Sequence, residues 1–190
     1  ERPIPSGLIK KRDASLLASF LLLLGVFAAA QVELNPSGLI AVSIVVAVMM
    51  YDKWAKHHSF FGPLMMGTCR GLNLLLGISI VPQMLYNYWF IALVPVLYIG
   101  AITMISRGEV HGGKSSTMYT AGIFYLVVMV SIIVISFIQG TILYSGLFIG
   151  LFASMVFPPL RRAIIKQEGK RIALALKAGV IDLIAMNASW

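Results

Sequence analysis

The chain has 190 residues, 59% of them hydrophobic and 12% charged, with a formal net charge of +8. That apolar share exceeds the about 45–50% of ordinary soluble domains, and the mean hydropathy of +0.90 agrees, so a single soluble domain is excluded. One cysteine, Cys69, excludes an internal disulfide and a CxxC metal site. The basic residues are spread over several short gaps rather than along one stripe, which speaks against a nucleic-acid interface and for membrane topology with contacts to anionic lipids or diphosphates.

In chain order, Arg2-Pro3-Ile4-Pro5-Ser6-Gly7 cannot be helical, because two prolines fix φ and remove donors. Seven apolar stretches follow, at approximately residues 14–32, 37–51, 63–81, 88–105, 117–138, 141–157 and 172–190. Each approaches the about 20 residues a helix needs to cross a bilayer. Strand alternation is absent, so the expected fold is an all-α integral membrane protein with seven transmembrane helices in a single domain over residues 1–190. The opening lacks Met and a signal-peptide pattern, and the last stretch ends without a polar flank, so the chain is expected to be a fragment of a larger domain.

Asp13 is positioned to cap the first helix, and Glu33-Leu34-Asn35-Pro36-Ser37-Gly38 turns the chain into the second, giving a tight hairpin. The second stretch runs into Tyr51-Asp52-Lys53-Trp54-Ala55-Lys56-His57-His58, a dense polar and aromatic segment. In the third, Gly67 and Gly71 form a small-xxx-small pair that permits close helix approach. The fourth is expected to end at Ile105, before a loop from Ser106 to Thr117 that holds Arg107, Glu109, His111 and Lys114. After Pro158-Pro159 the basic segment from Arg161 to Arg171 is expected to form an interfacial helix.

Lysines and arginines fall before the first stretch (Lys10, Lys11, Arg12) and after the second, fourth and sixth, whereas the gaps after the first, third and fifth hold none. By the positive-inside rule the basic loops are cytoplasmic, which predicts an integral protein of the cell inner membrane.

Arg70 is the arginine well inside a span, where a central cation costs roughly 2.5–3.5 kcal/mol on insertion scales. Either Arg70 and Asn73 line a polar cavity that holds an anionic or hydrogen-bonding group, or Arg70 snorkels to the basic surface. Lys53 and Lys56 suit a diphosphate, since an ammonium acts as a compact charge on phosphate oxygens, or they serve orientation alone. Glu109 could supply part of a Mg2+ site, because Mg2+ takes one or two protein carboxylates and fills its shell with phosphate and water. The other reading is a salt bridge to Arg107 or Lys114 in a solvated loop. Asp182, in the last stretch, reads as structural.

Three motifs resemble the UbiA superfamily of intramembrane prenyltransferases along the whole chain. Arg2 to Gly7 is similar to the R-P-x-P-S/T-G that follows that family's first aspartate-rich motif, NDxxDxxxD. Tyr51, Lys53 and Lys56 are similar to the tyrosine and basic residues after its fourth helix. Ser106 to Lys114, running on into Ser115-Ser116-Thr117, sits where it has DxxxD and a G-K-x-T-type stretch. The wording around Lys56-His57-His58, Cys69-Arg70-Gly71-Leu72-Asn73 and Arg107-Gly108-Glu109-Val110-His111 most resembles the EboC-type subgroup.

The resemblance implies that the seven helices correspond to helices three to nine of a nine-helix bundle. It implies a Mg2+-dependent transferase that moves a prenyl group from a polyprenyl diphosphate to a small lipophilic or aromatic acceptor. Carried over residue by residue, Glu109 matches the second acid of DxxxD and would hold the metal, while Ile105 stands where the first acid would be. Arg2, Tyr51, Lys53, Lys56, His111 and Lys114 would bind substrate, and Arg70 and Asn73 would join Glu109 in the catalytic set. Membrane lipids are the other expected partner. The alternative on the same fold is a non-catalytic transporter or isoprenoid-binding component.

Overall fold

The computed structural model describes residues 6–58, 60–111 and 115–188. Among these residues the chain is helical throughout, with α1 (Lys11–Val32), α2 (Leu39–Lys53), α3 (Phe61–Ile78), α4 (Pro82–Tyr88), α5 (Leu93–His111), α6 (Ser115–Ile138), α7 (Ile142–Ile165) and α8 (Gly169–Ala188). All seven expected helices are present. The addition is α4, a seven-residue turn of helix begun by Pro82 at its first position, where a missing N–H costs nothing.

Five segments are long and apolar enough to cross a membrane: Lys11–Val32, Leu34–Lys53, Pro82–Ser106, Ser116–Ile138 and Ile142–Ile165. The two helices outside this set are α3, which carries Arg70 and Asn73, and α8, which carries Lys170, Arg171, Lys177 and Asp182. Their polar residues lower the hydropathy, yet both helices pack inside the bundle.

The helices alternate in direction. Ser37, just before α2, meets Ser79, just after α3, with their hydroxyl oxygens 2.9 Å apart. On α3 and α5 the Gly67 and Gly71 backbones lie against Val96 and Ala92. A Cβ on Gly71 would come within 2.9 Å of the Ala92 carbonyl oxygen, so the predicted close approach is real and glycine is what permits it. The segments bearing Lys10, Lys53, Lys56, Arg161 and Lys166 therefore share one end of the bundle, the basic end. Gly38, Ser79, Pro95 and Asn187 mark the other.

α5, α6, α7 and α8 close into a four-helix bundle whose core runs from Val94 and Tyr98 through Tyr125 and Val128 to Phe152, Val156 and Ala175. Tyr98, Tyr125 and Phe152 pack with ring centroids 5.3 to 6.1 Å apart, the tilted and edge-on geometry aromatic quadrupoles favour. α3 lies against α5, α2 against α3, and α1 touches α2 mainly at the turn, where a Cβ on Gly38 would sit 3.5 Å from Ala30.

Four local expectations change. Lys10 rather than Asp13 stands at the N-cap of α1, and no side chain caps it; Asp13 occupies the first turn, where its charge suits the helix dipole. α5 does not stop at Ile105 but continues to His111, and α6 begins at Ser115, so most of the anticipated loop from Ser106 to Thr117 is helix. α7 runs through Pro158 and Pro159 to Ile165. Prolines are tolerated in membrane helices because neighbouring groups and local adjustments absorb the freed carbonyls. The segment from Arg161 to Arg171 is consequently split between the end of α7 and the start of α8, and forms no separate interfacial helix.

Candidate functional site

At the basic end, α2 finishes with Tyr51 half-buried in its last turn and Lys53 exposed as its final residue. A 3-10 turn, Ala55–His57, then carries exposed Lys56. The turn is pinned by aromatic packing: the Trp54 ring lies 4.5 Å from His58 and 5.0 Å from Phe61. Ala55 is fully buried beneath it. The arrangement holds Lys53 and Lys56 close in sequence on a braced corner. It also commits His58 to ring packing, and among the described residues no group of three His, Cys, Asp or Glu could hold a metal ion.

Glu109 and His111 belong by backbone to the last turn of α5, at the same end. Arg2 and Lys114 lie outside the described residues. Ile105, one turn before Glu109, is fully buried in the core of the four-helix bundle. A carboxylate there would be surrounded by apolar side chains, so the position serves packing.

Arg70 and Asn73 do come together, as expected from their spacing on one helical face. They line a cavity of about 170 Å³ with Leu74 and Gly77 of α3, Pro95 of α5, and Met186 and Asn187 of α8. Pro95 begins α5 and Asn187 nearly ends α8, so this cavity belongs to the half of the bundle away from the basic end. Glu109 stands thirteen residues beyond Val96, the residue that faces Gly67 and Gly71, which is about 20 Å of helix at 1.5 Å per residue. The structure thus brings Arg70 to Asn73 and sets both well apart from Glu109.

Asp182 is buried completely, and neither carboxyl oxygen has a hydrogen-bond partner among the described residues. One turn earlier on α8 the Gly179 carbonyl accepts a 2.6 Å hydrogen bond from the Tyr98 hydroxyl. The Tyr125 hydroxyl stands 2.6 Å from where a Gly179 Cβ would be. α8 is therefore tied to α5 by the Tyr98 hydrogen bond, with Asp182 and the Tyr125 hydroxyl buried nearby, a polar seam inside an aromatic core. Sequence reading missed this seam, and its one signal was an acid within an apolar stretch.

A family model described as the UbiA prenyltransferase family matches residues 1–177. The chain belongs to the UbiA prenyltransferase family. Neither a curated protein nor a solved structure matches it. UbiA membership agrees with the all-helical membrane architecture and makes prenyl transfer the activity of the family to which the chain belongs. In general terms it implies a prenyl diphosphate and an acceptor as substrates, and the Mg2+ dependence usual in UbiA proteins.

Asp52, in the last turn of α2, and Glu109, by backbone in the last turn of α5, are acidic positions at the basic end; Mg2+ takes one or two protein carboxylates and fills its shell with water and phosphate oxygens.

Proposed function

We propose that this UbiA-family protein transfers a prenyl group from a polyprenyl diphosphate to a small acceptor, with the diphosphate held at the basic end. The observation that carries this reading is the gathering of Tyr51, Lys53 and Lys56 at the end where the Glu109 turn of α5 finishes. Lys53 and Lys56 hold diphosphate oxygens as compact point charges, and the Tyr51 hydroxyl donates to them. The family resemblance adds Arg2, His111 and Lys114 to the substrate-binding set. Glu109 is the carboxylate that would hold Mg2+, which when bound supplies positive charge to the leaving diphosphate.

In the reaction the bond from the prenyl C1 to oxygen breaks, and its electron pair leaves with the diphosphate. The acceptor then forms a new bond to C1 and loses a proton. Charge that develops on the diphosphate is stabilised by the ammonium groups already fixed there, and the apolar helix walls keep water from the allylic cation. Arg70 and Asn73 line a separate polar cavity toward the opposite end of the bundle and stand outside the diphosphate set. The subgroup of best fit is the EboC type, and the basic end is cytoplasmic.

Ile105 favours a second reading. With an apolar residue buried where the family's first DxxxD acid would be, the fold could bind an isoprenoid without transferring it. One experiment separates the two. The protein purified in detergent is given a prenyl diphosphate and Mg2+, and released diphosphate is measured. The transferase reading predicts release that chelation abolishes and that Glu109→Gln slows at least about tenfold, a barrier change of about 1.4 kcal/mol. Saturable binding with no release would establish the binder instead.

A further inference from the structure

A second amphiphilic feature lies outside the bundle core, on the seam between α6 and α7. A cleft of about 700 Å³ is lined by Ile123 and Leu126 of α6 and by Phe157, Ile165, Arg161 and Arg162 of α7, among others. The two helices touch at its floor, where a Cβ on Gly122 would meet Leu160 at 3.4 Å. From Phe157 to Ile165 it follows eight residues of α7, about 12 Å along the helix axis. Its body is apolar, and its charge is confined to the two arginines in the last two turns of α7.

Both arginines are exposed, and among the described residues neither makes an ion pair, whereas Arg171 at this end pairs with Glu168 at 3.0 Å. No acid lines the cleft. A free inorganic anion would use the arginines and leave the apolar body unfilled. A neutral lipid would fill the body and leave two cations without a counter-charge. A lipid with an anionic headgroup satisfies both, with its phosphate between Arg161 and Arg162 and an acyl chain along Phe157, Ile123 and Leu126. Basic pockets between helices on the cytoplasmic side are where membrane proteins take such headgroups, and planar guanidinium groups suit phosphate oxygens.

We infer that the α6–α7 cleft is a binding site for an anionic phospholipid of the membrane leaflet at the basic end, separate from the diphosphate rim. The site does not depend on the transferase reading, since lipid binding is measured without turnover. The test uses the purified protein in neutral detergent, with lipid retention read by native mass spectrometry and melting temperature recorded in parallel. The probes are phosphatidylglycerol, phosphatidylcholine, inorganic phosphate and a prenyl diphosphate.

Phosphatidylglycerol is expected to bind in preference to phosphatidylcholine and to raise the melting temperature. The double variant Arg161→Gln/Arg162→Gln should bind it about 30-fold more weakly, the size expected for two basic residues at a lipid surface. Ile123→Trp, which fills the apolar body and keeps both arginines, should lose retention too, whereas Arg171→Gln should keep it. Equal retention of the two phospholipids, or full retention in the double variant that still melts cooperatively, overturns the proposal. Inorganic phosphate giving the same shift would reduce the site to the arginines alone and overturn the lipid assignment. Displacement of the phospholipid by the prenyl diphosphate with the same arginine dependence would make the cleft a substrate-entry groove and would also overturn it.

Discussion

Gly179 shows how little room the polar seam of α8 leaves. A Cβ there would meet the buried Tyr125 hydroxyl at 2.6 Å and Ile102 at 3.3 Å, so Gly179→Ala forces a fully packed ring to move. The expected loss is about 1–3 kcal/mol, as for other overpacked cores, and is read by thermal unfolding in detergent. Tyr98→Phe keeps the ring and deletes only the hydrogen bond to the Gly179 carbonyl, so its cost should be smaller, about 0.6 kcal/mol and no more than about 1.7. A Tyr98→Phe protein as unstable as Gly179→Ala would contradict this ordering. Single residues of this kind were legible in the sequence only as types. Asp182 announced itself as an acid in an apolar helix, but the Tyr98 hydroxyl that ties α8 to α5 one turn away comes from more than fifty residues earlier in the chain, and no local spacing encodes it. Arg70 and Asn73 were paired correctly because one helical face is a local property. Their separation from Glu109 depends on how α3 and α5 lie against each other, which periodicity does not give.

Among the elements, the α3–α5 contact is the one whose cause could be read in advance. Gly67 and Gly71 recur four residues apart, and the structure puts Gly67 against the Val96 backbone of α5 and Gly71 against the Ala92 carbonyl in the 3-10 turn just before it. Gly71→Leu should therefore push the helices apart, costing about 3 kcal/mol or more, since the obstacle is a carbonyl oxygen rather than a flexible side-chain tip. Gly146, with nothing near its Cβ position, should accept alanine with little change, and the two variants compared by unfolding temperature test the contact. Element ends were less legible. The polar run after Ile105 reads as a loop, yet the chain has no need to break its helix there, and α5 uses Ser106 to His111 for nearly two more turns. Ser106 stays compatible by hydrogen-bonding back to the Thr103 carbonyl at 2.9 Å. Pro158-Pro159 reads as a stop and is instead accommodated within α7, which is what brings Arg161 and Arg162 onto the α6–α7 cleft.

At the scale of the whole molecule, the alternation of charged and uncharged gaps proved the most informative pattern, because antiparallel packing turns it directly into one basic end. If that end is cytoplasmic, a cysteine at Lys56 in a Cys69→Ala background should stay unmodified by an impermeant thiol reagent in intact cells and react after permeabilisation, while one at Asn35 should react in both. The reverse result would invert the orientation. The all-helical fold followed from composition and run length, since helices alone satisfy their backbone within each span. The two long helices outside the set of membrane-crossing candidates, α3 and α8, are the ones that carry Arg70, Asn73 and Asp182, so the polar residues of the bundle weaken its membrane signal.

Prenyl transfer by this chain requires the diphosphate to bind at the basic end rather than at the Arg70 cavity. The most direct measurement is the KM for a prenyl diphosphate in Lys53→Ala/Lys56→Ala compared with the unaltered protein, with diphosphate release as the readout. Loss of two phosphate-binding ammonium groups should raise KM at least about tenfold, about 1.4 kcal/mol of binding. An unchanged KM in a double variant that still turns over would contradict the assignment of the diphosphate to this end.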